Sequence, residues 1–277
     1  MKTQTLPALA LLVLAACNQP APETAPPAPA PDTLATTPAE RPAIVAPENA
    51  KLKLVAASPA AAFPDAALAL DNMTPNNKDM KVRYKFGVSG FELTAQTPDA
   101  PERGCANSPD GQHLHFILNN KPYIAEYKAD FTEKADPGHN VMLAFLSRSY
   151  HESLKNATAV VVKAFDMPGE GGVAAIDLAK DPVLFYSRPK GDYKQFDGEK
   201  MLLDFYLLNT NLEDQGYSVR ATIDGETWTI NKWDAYFIEG LELGQHTVRL
   251  QLVDKDGNLV PGAFNDSGDR TFNYLAS

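Results

Sequence analysis

Residues 111–123 read GQHLHFILNNKPY, and the same construction returns at residues 216–228 as GYSVRATIDGETW. Each copy enters on a glycine and alternates side chains at period two. Each then turns on a pair that accepts positive φ, Asn119-Asn120 in one and Asp224-Gly225 in the other. A chain that builds one hairpin twice is constrained to a duplicated sheet. The flanks agree: FGV at 86–88 aligns with FYL at 205–207, and HNVMLAFL at 139–146 with HTVRLQLV at 246–253. That alignment pairs Tyr123 with Trp228 and His139 with His246, and a histidine kept in both copies reads as a strand-edge residue bonded to backbone.

Around these hairpins the pattern predicts strands at 67–70, 81–88, 91–94, 157–165, 183–186, 201–208 and 270–275, with one helical turn at 174–180. Along 81–88, Val82, Tyr84, Phe86 and Val88 point inward and Lys81, Arg83 and Lys85 outward. Gly169, Gly171 and Gly172 break the chain between the copies. The fold class expected is all-β: two tandem immunoglobulin-like β-sandwich domains, residues 51–168 and 182–277, joined by a linker at 169–181. A single continuous sandwich or barrel is the alternative.

The N-terminus is a targeting signal, residues 1–16. Lys2 supplies the positive charge, and the apolar run at 6–16 is too short to span a bilayer. It ends in Leu14-Ala15-Ala16-Cys17, which resembles the lipobox of bacterial lipoproteins. The resemblance implies cleavage before Cys17 and acyl chains on that cysteine, a firm membrane anchor. Asn18 rather than aspartate follows, which points to the outer membrane, facing the periplasm. Residues 17–50 then form a disordered Pro/Ala-rich linker: nine of the 22 prolines lie in 18–50. Such a segment is extended and reaches on the order of 100 Å. With Cys17 lipidated, Cys105 is left as a free thiol, either buried or reactive.

The chain carries 25 basic and 35 acidic residues. The basic ones form no stripe, so nucleic acid is not an expected partner. It has no Gly-x-Ser-x-Gly elbow, phosphate-cradling glycine loop or His-Glu-x-x-His helix, and it does not read as an enzyme.

Functional residues are sought where the copies differ. His113, His115 and His151 occur only in the first, opposite Ser218, Arg220 and Asn258. Positions i and i+2 put His113 and His115 on one strand face. With His151 returning to that face, the three would form a metal triad suited to Zn²⁺ or Cu²⁺. Arg148 and His151, amid the hydroxyls of SRSYHES at 147–153, would instead grip a phosphate or an anionic peptide. A polar strand face with a structural histidine network is the third reading, and the three stay open. The first copy also carries about 14 extra residues between Leu93 and Gly111, with Arg103 and Cys105 among them. Aromatics such as Tyr123, Tyr127, Trp228 and Trp233 read as core.

The stretches GQHLHFILNNKPY, LSRSYHESLK and LLDFYLLNTNL resemble a family of bacterial lipoproteins, some of whose members are labelled phosphopeptide-binding protein. The resemblance runs from Phe63 to the end. It implies a lipid-anchored binding protein of the cell envelope whose partners are the membrane, envelope proteins or a phosphopeptide. It carries over no site residues. The alternative is a structural or protein-interaction lipoprotein with no small ligand.

Overall fold

The computed structural model describes residues 41–195, 200–213 and 216–277. The expected signal peptide, Cys17 and the expected linker up to residue 40 lie outside the described residues. Among those described there is no α-helix, and no helix long and apolar enough to cross a membrane.

The described residues open with two short strands, β1 (Ile44–Val45) and β2 (Lys53–Ala56). The first series follows: β3 (Ala67–Asn76), β4 (Lys81–Ser89), β5 (His113–Leu118), β6 (Ile124–Glu126), β7 (Asp130–Lys134), β8 (Gly138–Ser147) and β9 (Val160–Met167). The second comprises β10 (Val183–Arg188), β11 (Gly191–Lys194), β12 (Met201–Leu208), β13 (Ser218–Ile223), β14 (Glu226–Ile230), β15 (Tyr236–Glu239), β16 (Gly244–Val253) and β17 (Arg270–Leu275). The strand expected at 91–94 does not form, because the chain turns at Thr94 (φ 69°) to bond Gln112. The strand expected to stop at Leu70 instead continues to Asn76 through a bulge. It tolerates Pro75 because it is an edge strand.

The two series are alike strand for strand. Sheets β3-β4-β7 and β6-β5-β8-β9 face each other in the first. Sheets β10-β12-β15 and β14-β13-β16-β17 repeat that order in the second. The fold is thus all-β, two immunoglobulin-like sandwiches with their own inner cores, one around Tyr84, Phe116 and Leu146 and one around Trp228, Phe205 and Leu252. The second is enlarged by three strands. At Pro189 its first strand leaves β12, and β11 runs parallel to β17 in the opposite sheet. From the far N-terminal side, β1 joins β14 and β2 joins β15. Residues 44–56, grouped by sequence with the linker and the first domain, therefore complete the second sandwich. Glu226 ties them down by accepting from the Lys51 and Leu52 amides.

Register corrects one part of the alignment. With the hairpins matched, Leu114 pairs Leu146 and Val219 pairs Leu252, so Leu146 is the counterpart of Leu252. His139 then matches Gln245, not His246. A slip of one residue flips a strand's faces, so the two histidines are not equivalent.

The sheet β6-β5-β8-β9 is covered on both sides. Met142, Ala144 and Leu146 fill the inner core, while Val141, Leu143, Phe145 and Ile117 pack on Val183, Phe185 and Tyr206 of the second sandwich. Asn120, in the first hairpin turn, locks this seam: its Oδ1 accepts from the Tyr186 amide at 2.9 Å. Asn119 and Asn120 take the positive φ values expected, 55° and 53°. Pro122 has no N–H to give, and pairing resumes only at Ile124.

Candidate metal centre

Strand β5 places its histidines by simple alternation. Leu114, Phe116 and Leu118 enter the inner core, so His113 and His115 point to the seam, where both are fully buried. Gly111 fixes the approach. It sits at φ 81°, and a Cβ there would fall 2.2 Å from the Thr94 carbonyl oxygen. Its carbonyl accepts from His113 Nδ1 at 2.8 Å. That bond puts the proton on Nδ1 and leaves the Nε2 lone pair free. His115 is held by Ser187 Oγ, 3.1 Å from its Nδ1, and by the Tyr123 ring, stacked at 3.6 Å and 8°.

His151 arrives from the loop between β8 and β9. Its amide donates to Arg148 O at 2.8 Å, and the Arg148 amide donates to Glu152 O at 2.9 Å. His151 itself sits at φ 69°, a conformation that costs a residue with a Cβ about 1–3 kcal/mol and needs support. The 14-residue insertion of the first copy gives that support. Thr97 and Ser149 exchange bonds of 3.1 and 2.9 Å between amide and hydroxyl. The buried Tyr150 donates to Asp99, and Arg103 pairs with Glu152 at 2.8 Å. The insertion thus works as a cradle for the loop.

The three rings converge. His113 Nε2 lies 3.1 Å from His115 Nε2 and 3.0 Å from His151 Nδ1, and these three nitrogens all fall within 4.8 Å of one another. Tyr123 Oη lies 3.3 Å from His151 Nδ1. A tetrahedral ion with bonds of about 2.0–2.1 Å has ligand-to-ligand edges of about 3.3 Å. The two separations from His113 Nε2 are close to such edges, and the third nitrogen pair, within 4.8 Å, would have to draw in around an ion.

All three rings are neutral at pH 7. Burial pushes His113 down to about 4, and the charges of Arg188 and Lys190 add to that. His115 and His151 are held well below the ordinary range, first by burial and then by the neighbouring rings and the same two cations. Neutral imidazole is the metal-binding form. Arg188 is buried, with Cζ 6.0 Å from the Tyr123 ring centre and an Nε that has no hydrogen-bond partner among the described residues. Its charge also opposes a bound cation, so it limits affinity.

The other sequence-predicted residues lie apart. Arg148 spends its fork on the Ala61 carbonyl, at 3.1 and 2.7 Å, and on Glu152 and the Ser153 carbonyl. It fastens the loop, with no donor turned to the triad. His139 meets Asp166 across the strands at 2.8 Å, and His246 bonds Asp224 at 2.6 Å and the Glu242 carbonyl at 2.8 Å. His246 thus keeps the backbone partner expected and adds a carboxylate, whereas His139 bonds a carboxylate instead. Cys105 is buried, and burial pushes its thiol up to about 11, which makes it unreactive. Sequence reasoning missed Tyr123, filed as core, and Ser187, Arg188 and Lys190, which come from the other sandwich. No pattern in the chain links residues 113 and 187. The continuous apolar run NVMLAFL did signal that both faces of β8 are covered.

No family model matches the chain, and neither does any curated sequence. Solved structures show distant similarity. The fibronectin(III)-like modules of Clostridium thermocellum CbhA match at 10% identity and TM-score 0.26, covering 76% of this chain and 94% of theirs. The mixed-linkage glucan protein SGBP-B of Bacteroides ovatus, in complex with a heptasaccharide, matches at 10% identity and TM-score 0.22, covering 76% of this chain and 47% of its own. The endo-fucoidan hydrolase MfFcnA4 of glycoside hydrolase family 107 matches at 11% identity and TM-score 0.19, covering 81% of this chain and 39% of its own.

Proposed function

We propose that this protein is a lipid-anchored, extracytoplasmic binding protein, not an enzyme, which takes one Zn²⁺ or Cu²⁺ ion on His113, His115 and His151. Cys17 would carry the acyl chains and hold it at the outer membrane, facing the periplasm, within reach of envelope proteins. The observation that supports the metal reading is the convergence of three neutral imidazole nitrogens in a buried seam, two of them 3.0–3.1 Å from His113 Nε2 and all within 4.8 Å of one another. Imidazole suits both ions. The bonds behind the rings fit as well: His113 and His115 each have their far nitrogen fixed, by Gly111 O and Ser187 Oγ. The anionic-ligand version of this site is weaker, since Arg148 is committed to the loop.

The test is calorimetry with Zn²⁺ and Cu²⁺ on the untagged protein, with metal analysis after dialysis. One ion per chain is expected. His151→Asn removes the ligand ring, and asparagine tolerates the positive φ of this loop position. It should weaken binding by tenfold or more, the usual cost of a lost ligand or its support. Lys190→Gln, which removes an opposing charge, should tighten it. The same 3.0–3.1 Å spacings are also hydrogen-bond lengths, which favours a structural histidine network as the second reading. Wild-type protein that binds neither ion saturably supports that network and ends the metal reading.

A further inference from the structure

Beyond Tyr123, on the side away from the histidines, lies a separate cavity of about 230 Å³. Pro122, Tyr186 and Pro189 form its apolar walls, and Lys190 and Arg270 line it together with Asp269. Each cation is pinned in place. Lys190 Nζ donates to the Tyr123 carbonyl at 2.6 Å and sits 3.9 Å from the centre of that ring. Arg270 Nη2 donates to the Asn120 carbonyl at 2.6 Å, and its Cζ lies 5.5 Å from the Tyr186 ring centre. Neither has a carboxylate at ion-pair distance among the described residues. Asp269, the nearest acid, is instead 3.9 Å from Arg249 and largely exposed.

Two half-buried charges therefore share a cavity without a counter-ion. The ammonium has three donors and the guanidinium five, so bonds to one carbonyl each leave donors over. One of these, Arg270 Nε, is buried with no hydrogen-bond partner among the described residues. A buried donor left unmet is costly, and a buried charge more so. Burial lowers the basicity of both groups, the signature of cations lacking an anion. We propose that this cavity is a second ligand site, which binds a small monocarboxylate between Lys190 and Arg270 with its apolar body against Pro122, Pro189 and Tyr186. The volume is that of roughly seven or eight waters, enough for a benzoate-sized molecule. Asp269 at the rim disfavours a dianion, which selects a carboxylate over a phosphate.

The proposal does not depend on metal binding. The full chain is titrated by calorimetry with benzoate, acetate and inorganic phosphate at fixed ionic strength. Benzoate is expected to saturate at one per chain and to bind more tightly than phosphate. Lys190→Gln should weaken benzoate about tenfold or more, the worth of one charge-assisted bond. Lys190→Arg should retain binding, Asp269→Asn should improve phosphate, and His151→Asn should leave benzoate unchanged. Thermal unfolding of each variant confirms the fold. Unsaturable benzoate binding to wild type, or equal affinity in folded Lys190→Gln, overturns the proposal. Phosphate binding tighter than benzoate overturns the carboxylate preference.

Discussion

The hairpin strands β5 and β13 hold the same place in the two sandwiches, and their outer faces live in different surroundings. Inward, Leu114, Phe116 and Leu118 answer to Val219, Ala221 and Ile223. Outward, His113, His115 and Ile117 are fully buried, while Arg220 and Thr222 keep partial contact with solvent. The cause is the second sandwich, which seals the outer face of β5 and leaves that of β13 uncovered. A polar group on a sealed face must be neutral or paired. Imidazole can be neutral and still bind, whereas Arg220 needs its outlet to the Gly257 carbonyl at 2.6 Å. The difference teaches that the histidines belong to the dry seam as much as to the strand that carries them.

The sharpest break in this comparison is a matched pair of truncations. Ile117→Ala should cost about 2–5 kcal/mol, as a fully buried aliphatic does. Thr222→Ala, at the same place in the other copy, should stay within about 0.5 kcal/mol. Urea unfolding measures both, and equal losses would mean that the seam does not bury β5. Next come the entry glycines. Gly111→Ala meets the Thr94 carbonyl at 2.2 Å as well as a disfavoured φ, whereas the nearest atom at Gly216 is Lys255 Cβ at 3.4 Å. Gly216→Ala should cost about 1 kcal/mol and Gly111→Ala clearly more, with loss of metal affinity in the latter alone.

The most gradual effect is read by pH in metal-free protein. His113 has its folded value lowered to about 4, below its ordinary 6.5, so the unfolded chain takes the proton first as pH falls. Its stabilising share is whole above about pH 6.5 and drains away as pH drops toward 4, by up to about 1.4 kcal/mol per unit for each such ring. Urea unfolding across this window should show the slope. His113→Ser, the second copy's residue, should make it shallower, with His115 and His151 still contributing.

Much of this was legible in the residues. Strand β12 matches its expected bounds, and β4 buries Val82, Tyr84 and Phe86 as its alternation demands. The gathering of His113, His115 and His151 followed from strand period and the placing of a loop. The rest was hidden for physical reasons. Strands β7 and β11 are short edges without an apolar alternation, and β2 finds its partner, β15, about two thirds of the chain away. The slip between His139 and His246 arose because like residues were matched where register, set by neighbouring strands, decides. Which sheet face would be sealed depends on how two sandwiches meet, and only the doubly apolar β8 hinted at it.

The strap formed by β1 and β2 has a mechanical consequence. Arg41 grips the Leu212 and Tyr217 carbonyls, and the strands beyond it lie on both sheets of the second sandwich before the chain enters the first. Tension applied at the N-terminal end would be absorbed by peeling those two strands away. The histidine cluster would feel no load until the strap had let go.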